Sequence, residues 1–296
     1  MKITIRFISF LLIISLALPC YATDWKVLHE KADSISSNQA LKAVINNPGS
    51  LEDLYVLALT YLNERKDKSA MGVFQRILEQ KDDFIGAKWG VAEIMQRMHQ
   101  DKKSEKLLKE IIKKDPQFWP AYITLSFVQY MSLQFVPCLK SAYKVMKQRK
   151  DSVDLSNYVR AITLVAGAKG MIAHYGGPLA KMMHGLGVFP LLKKAEKLQP
   201  NAIAVLMGIG SFYLIAPHII GGDLDKAIQY LEKAISIDPL FSNAYVRLAQ
   251  AYKMKGDLKT YEAFMAKAKE IDPQNELLRD ITSGACKFLC VRSPDE

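Results

Sequence analysis

The chain reads as an all-α protein: antiparallel helix pairs stacked as an α–α superhelix. Three observations predict this. Chain-turning residues keep a beat, with Pro48, Asp82, Pro116, Lys150, Pro200, Pro239 and Pro273 separated by 34, 34, 34, 50, 39 and 34 residues. Within each interval, small residues recur where two helices must approach closely and large apolar ones fill the gaps between them. The two long intervals exceed 34 by 16 and 5 residues, so they read as the same unit carrying insertions. A helix pair of this length cannot bury its apolar face alone and must stack on neighbours.

Residues 1–22 stand outside this pattern. Lys2 and Arg6 give a basic start, and Phe7–Leu18 is a run of 12 residues, apolar but for two serines. Pro19 ends the run, and Cys20-Tyr21-Ala22 places small residues where a signal peptidase reads, so an export signal cleaved after Ala22 is expected. The run is shorter than the roughly 20 residues that span a bilayer. Cys20 at the end of the run leaves a membrane-attached lipoprotein as the alternative, although Ala17-Leu18-Pro19 departs from the usual approach to a lipidated cysteine.

The remaining elements follow in order. Residues 23–50 are too short for a full pair before Pro48 and read as an N-terminal capping helix or a truncated unit. Residues 51–152 hold three pairs, 153–202 one pair with a glycine-rich insertion, and 203–275 two pairs, the first with a short insertion. Residues 276–296 supply a C-terminal cap over the last apolar face, then a tail, Ser283–Glu296, expected to fray. The long insertion, Ala166–Phe189, carries glycines at 167, 170, 176, 177, 185 and 187. Glycine allows tight turns and close backbone approach, so the segment could fold back into the groove, cap a cavity or touch a membrane. The short insertion, Ala216–Asp223, ends on an aspartate placed to cap the helix Leu224–Ile237.

Composition narrows the function classes. The formal net charge is +10, and removing Lys2 and Arg6 with the leader leaves +8. Much of the excess lies in Lys102–Lys114 and Lys140–Lys150, on second helices that form the outer wall; these read as solvated faces with pairs such as Glu105–Lys109, or as attraction to anionic lipid or an acidic partner. No base-reading motif is present, so nucleic acid is not an expected partner. Cys138 reads as core packing. Cys286 and Cys290 can form a local disulfide only if the helix there ends or distorts. His29, His99, His174, His184 and His218 form no zinc-protease helix, and no phosphate loop or nucleophile elbow occurs. His174 and His184, near Met171, Met182 and Met183, read as core or surface rather than copper ligands. No enzyme activity, metal or cofactor is expected.

The repeats share an internal register. From Leu51 the chain supplies Leu57, Ala58, Tyr61, Ala70 and Phe74; from Ile85, Val91, Ala92, Met95 and Leu108; from Trp119, Leu125, Ser126, Ala142 and Val145. From Ile203 it supplies Ile209, Gly210, Tyr213, Ala227, Leu231 and Ala234; from Ser242, Leu248, Ala249, Tyr252 and Ala268. Over Leu51 to Pro273 this pattern resembles the tetratricopeptide-repeat superfamily. In that family the first helix of each pair faces a concave groove that binds partners. The resemblance implies groove positions at Tyr55, Leu59 and Leu62; Trp89, Glu93 and Arg97; Ile123, Phe127, Tyr130 and Met131; and Met207, Ser211, Leu214 and Ile215. The anchors expected to hold a partner are Tyr55, Leu59, Trp89, Arg97, Phe127, Tyr130, Met131, Met207 and Leu214. The alternative is that the protein's own segments cover these side chains. The clamp for a chaperone tail is not matched, because Tyr55, Leu59, Trp89 and Glu93 stand where Lys and Asn would be needed.

Leu214–Pro239, LIAPHIIGGDLDKAIQYLEKAISIDP, resembles more narrowly the T-component proteins of TRAP transporters, which are helical envelope proteins with an apolar cavity. Two functional expectations result. The first is an exported, periplasmic, non-catalytic scaffold that binds a protein or peptide in its groove. The second is a transport accessory that takes an apolar small molecule or lipid, with peripheral membrane contact.

Overall fold

The computed structural model describes residues 23–149 and 151–290. The leader, the Lys150 boundary and the end of the tail lie outside them. Every regular element among the described residues is helical. The helices are α1 (Trp25–Ser34), α2 (Ser37–Asn46), α3 (Leu51–Asn63), α4 (Asp67–Gln80), α5 (Ile85–Arg97), α6 (Asp101–Lys114), α7 (Trp119–Met131) and α8 (Phe135–Met146). They continue with α9 (Leu155–Tyr175), a single turn α10 (Pro178–Ala180), α11 (Val188–Leu198), α12 (Ile203–Ile215), α13 (Leu224–Ile237), α14 (Ser242–Met254), α15 (Leu258–Ile271) and α16 (Glu276–Thr282). The stacked pairs are α3–α4, α5–α6, α7–α8, α9–α11, α12–α13 and α14–α15.

Local chemistry sets these boundaries. Side chains of Ser50, Asp154, Asp223, Asp257 and Asn275 accept from the first turn of their helices, and Ser36 with Gln39 forms a reciprocal capping box. The turns inside the first three pairs each use a left-handed residue at the same place, Arg65 (φ 58°), His99 (φ 58°) and Leu133 (φ 61°). Between pairs, packing demands small residues. Phe74 is fully buried against Gly90, where an added Cβ would lie 2.2 Å from the ring.

Three expectations are corrected. The N-terminal segment is two ten-residue helices, and α1 lies inside the groove instead of only capping its end. Trp25 stands edge-on to Tyr55, Phe84 and Phe118, with ring centroids 5.6, 5.4 and 5.0 Å away. Gly167 and Gly170 do not turn the chain, because α9 runs through both for 21 residues; a Cβ at Gly167 would lie 3.3 Å from the Tyr130 ring. The chain leaves this helix only at Gly176, and a π-helical turn covers Lys181–Gly185.

The tail is the third correction. Ser283–Cys290 packs against the fold rather than fraying. After α16 ends, Cys286 (φ 52°) and Leu289 (φ 65°) adopt left-handed backbone and Cys286 bonds Cys290. Phe288 is buried and stacks on Tyr130 at 6.0 Å. Arg247 donates to the carbonyls of Phe288 and Leu289, each at 2.7 Å, while Asp280 accepts from the backbone N–H groups of Lys287 and Phe288.

The superhelix also closes on itself. Arg65 binds Asp238 at 2.6 Å, across 173 residues of sequence. His99 contacts Glu276 at 2.6 Å and Asp272 at 3.0 Å. Leu133 packs with Tyr245, Leu277 and Phe288. The turn edge of the first three pairs therefore rests on the C-terminal pairs.

Burial works to lower the His99 pKa but is outweighed by the hydrogen bonds and charges of Glu276 and Asp272, so it lies above the usual value. Nearby, burial and the charge of Glu276 raise Asp101. A raised histidine contributes stability fully below its unfolded pKa, about 6.5, and loses it as pH rises through the folded value. His99→Gln should remove about 1 kcal/mol of stability at pH 6 and much less at pH 9, read from denaturant midpoints. Equal losses at both pH values would show that the charge of His99 contributes nothing.

Candidate functional site

The concave side holds a polar cavity of about 140 Å³ between α1, α3, α5 and the start of α9. Helix periodicity explains its lining. His29, Ala32 and Asp33 lie one turn apart on α1, Leu59, Leu62 and Asn63 on α3, and Trp89, Glu93 and Arg97 on α5. The cap and first turns of α9 add Asp154, Ser156, Asn157 and Arg160.

Glu93 sits at its centre. Its carboxylate is 5% exposed and accepts from Thr124 Oγ1 at 2.6 Å; that hydroxyl accepts in turn from Trp89 Nε1 at 2.9 Å. Arg97 and Arg160 approach Glu93 at 3.5 and 3.7 Å. Burial alone would raise the Glu93 pKa, but Arg160, Arg97 and the Thr124 hydrogen bond outweigh it and hold the carboxyl below its ordinary value. Arg97 is fixed at the rim by Asp67 at 2.6 Å and by the Leu62 carbonyl at 3.1 Å.

On the opposite wall, His29 Nε2 and the Tyr55 hydroxyl share a hydrogen bond of 2.9 Å. Burial pushes the His29 pKa down against the pull of Asp154 and Asp33, and pushes the Tyr55 phenol well up. Asp154 accepts from both the backbone and the side-chain nitrogens of Asn157, whose buried Oδ1 is left without a partner. Asp33 accepts from Ser156 at 2.5 Å and from Asn63 at 3.0 Å.

This differs from an open, oily wall. Tyr55, Leu59, Trp89 and Leu214 are at most 4% exposed, so the protein's own chain already occupies them. For Tyr55 and Trp89 the reason is the insertion of α1, since Trp25 and His29 pack on Tyr55 and His29 on Trp89, whereas Leu214 is buried in the cluster of α12, α13 and α14. Tyr130, Met131 and Met207 are half-buried against Tyr245, Leu277 and Phe288, because the tail fills that end. Phe127 is half-buried as well. Arg97, Leu59 and Trp89 do meet at one cavity. His29, Asp33, Asp154, Asn157 and Arg160 are not among the groove positions that the repeat register implies, because α1 precedes the first repeat and the glycine-rich insertion obscures the register of the pair that α9 begins.

A second hollow, of about 420 Å³, lies behind the short insertion, lined mainly by Tyr213, Leu214, Ala216, Leu224 and Met254. Among the described residues, no group of three or more His, Cys, Asp or Glu side chains could hold a metal ion.

Residues 219–282 match the family model of the tetratricopeptide repeat. No curated protein sequence matches the chain. Solved structures are similar in fold. A human IFIT1 dimer with m7Gppp-AAAA has a TM-score of 0.56 at 16% identity, over 86% of this chain and 65% of that one. The Cut9–Hcn1 hetero-tetramer of the APC/C has a TM-score of 0.52 at 16% identity, over 87% and 47%. A tetratricopeptide repeat protein from Parabacteroides merdae has a TM-score of 0.50 at 13% identity, over 88% and 98%.

Glu93→Ala should lower stability by about 2 kcal/mol, because it leaves Arg97, Arg160 and Thr124 without their shared acceptor. Glu93→Gln, which still accepts from Thr124, should recover part of that loss. Chemical denaturation of the two variants measures the difference, and an alanine variant as stable as wild type would contradict this account.

Proposed function

We propose, from the premise that the chain is a tetratricopeptide-repeat protein, that it is an exported, periplasmic, non-catalytic scaffold whose polar concave cavity takes a group from a protein or peptide partner. The fold supports a protein-interaction role in general. The observation that carries the finer reading is the cavity itself: two arginines, a buried carboxylate and an unpartnered Asn157 Oδ1 converge on a space too small for a helix. A charged side chain or a chain end fits such a mixture of donors and acceptors. The buried rings among the expected anchors, Tyr55 and Trp89, serve the core instead, so Arg160, about one-third exposed, is the cavity residue to test.

The second hollow favours one further reading, a transport accessory holding an apolar solute or lipid. Native mass spectrometry separates the two: co-purified small apolar mass supports the accessory, and a ligand-free mass supports the scaffold. The basic start and apolar run of residues 1–22 support export. In a host that exports it, the chain should be recovered outside the cytoplasm beginning at Thr23, and recovery in the cytoplasm with Met1 intact would refute export. Arg160→Lys, which keeps a positive charge beside Glu93 but loses the planar guanidinium, should retain an envelope partner about tenfold less well than wild type at a near-wild-type melting temperature. Equal retention would remove the cavity from the interface.

A further inference from the structure

Two consecutive pairs carry insertions in the same place. One joins α9 to α11, the other joins α12 to α13, and each is the turn from first to second helix. In stacked antiparallel pairs such turns lie on one edge. The side chains confirm the adjacency. Phe189, the last residue of the long insertion, stacks on Phe212 with ring centroids 4.7 Å apart, and a Cβ on Gly221 of the short insertion would lie 3.9 Å from the Phe212 ring.

This edge is covered early in the chain and bare later. The turns at Arg65, His99 and Leu133 are seated on the C-terminal pairs. The two insertions that follow present apolar tips to solvent. Leu179, Met182, Met183 and Leu186 are 60–73% exposed, Ile220 is 58% exposed and Ile219 92%. Neither insertion is needed for the 34-residue unit to stack.

The charge around these tips has one sign. From residue 161 to 192, which spans the long insertion, the sequence holds Lys169 and Lys181 and no acid; Arg160 and Lys194 lie toward the other end of α9, against Glu93 and Tyr158. Lys181 lies between Leu179 and Met182, and Lys169 Nζ reaches to 3.0 Å from where a Cβ on Gly187 would stand. The acids at the end of the short insertion and just past it, Asp223 and Asp225, are paired with Lys226 at 2.9 Å and Lys255 at 2.7 Å. Glu196 is held by Lys193 and by the Tyr230 hydroxyl.

We propose that this edge is a peripheral membrane contact, in which the Leu179–Leu186 and Ile219–Ile220 tips enter the interfacial layer of an anionic bilayer while lysines meet its headgroups. Projecting apolar tips with lysines beside them and no acid in the long insertion fit a lipid interface better than a protein pocket, which would need a concave match. No helix among the described residues is long and apolar enough to cross a membrane, so the contact is one of surface docking. The proposal rests neither on the polar cavity nor on the identity of its partner.

The test is co-sedimentation of the chain from Thr23 onward with vesicles of phosphatidylglycerol mixed with phosphatidylcholine, and of phosphatidylcholine alone. The expected result is binding to the anionic vesicles that weakens as salt rises. The variants Met182→Ser/Met183→Ser/Leu186→Ser and Ile219→Ser/Ile220→Ser should each bind about tenfold more weakly, with unchanged melting because the side chains are exposed. Absence of wild-type binding, equal binding to the neutral vesicles, or wild-type binding by both variants would each overturn the proposal. So would loss of a protein partner in these variants with vesicle binding intact.

Discussion

An apolar inner wall cannot be left in water, and the architecture of this protein follows from how that wall is covered. The repeats place Tyr55, Trp89 and Ile123 on the concave side, where stacking alone does not bury them. The chain meets the demand at both ends. At one end α1 turns inward, and Trp25 presents its edge to three aromatic rings. Such edge-to-face pairs add about 0.5–1.5 kcal/mol each beyond the area they bury. At the other end the disulfide loop brings Phe288 onto Tyr130, and Arg247 satisfies two carbonyls that would otherwise be buried unpaired. Burial lowers the Arg247 pKa to about 10, which leaves it charged at neutral pH and able to hold both.

Covering the wall with a helix that carries polar residues has a chemical consequence. α1 brings His29 and Asp33 inward along with Trp25, and the start of α9 brings Asp154, Asn157 and Arg160 to meet them. Glu93, alone among the groove positions on α5 in being both buried and acidic, requires partners of opposite charge. Arg97 and Arg160 supply them from the same and a distant helix. A buried carboxylate stripped of such partners would protonate rather than remain charged. The polar cavity is thus what remains of the groove once its apolar surface has been taken up internally.

The legibility of these features divides by range. The 34-residue beat, the small residues at helix crossings and the Asp223 cap could be read from sequence, because each reflects contacts between chain neighbours or adjacent repeats. The Gly90–Phe74 contact is of this kind. By contrast, Arg65–Asp238 joins residues 173 apart, and nothing periodic marks either one. The inward turn of α1 was hidden for another reason: a short amphipathic segment before the first repeat has the same pattern whether it caps the stack or fills its hollow. The glycines of the long insertion misled because glycine serves close helix packing as readily as it serves turns; at Gly167 the neighbour is Tyr130, a contact visible only in three dimensions. At the other end of the chain, the Cys286–Cys290 spacing showed that a bridge was feasible but not that Phe288 between them would be drawn into the core.

Closure also gives the molecule two unlike edges. Where Arg65, His99 and Leu133 meet the later repeats, turns are short and their side chains are occupied. Past Leu133 the described chain touches this edge at the end of α9, where the Tyr175 hydroxyl donates to the Lys287 carbonyl at 2.7 Å, and leaves the insertion tips exposed. An insertion there meets no steric objection, since it extends into solvent and leaves the helix stacking untouched. An insertion of similar length in the α3–α4 or α5–α6 turn would have to displace Asp238 or Glu276. The position of both insertions, in the fourth and fifth pairs from Leu51 and in neither of the first two, is therefore what a self-contacting superhelix permits. Among the described residues, the open edge and the cavity mouth are where this closure leaves room for a binding surface.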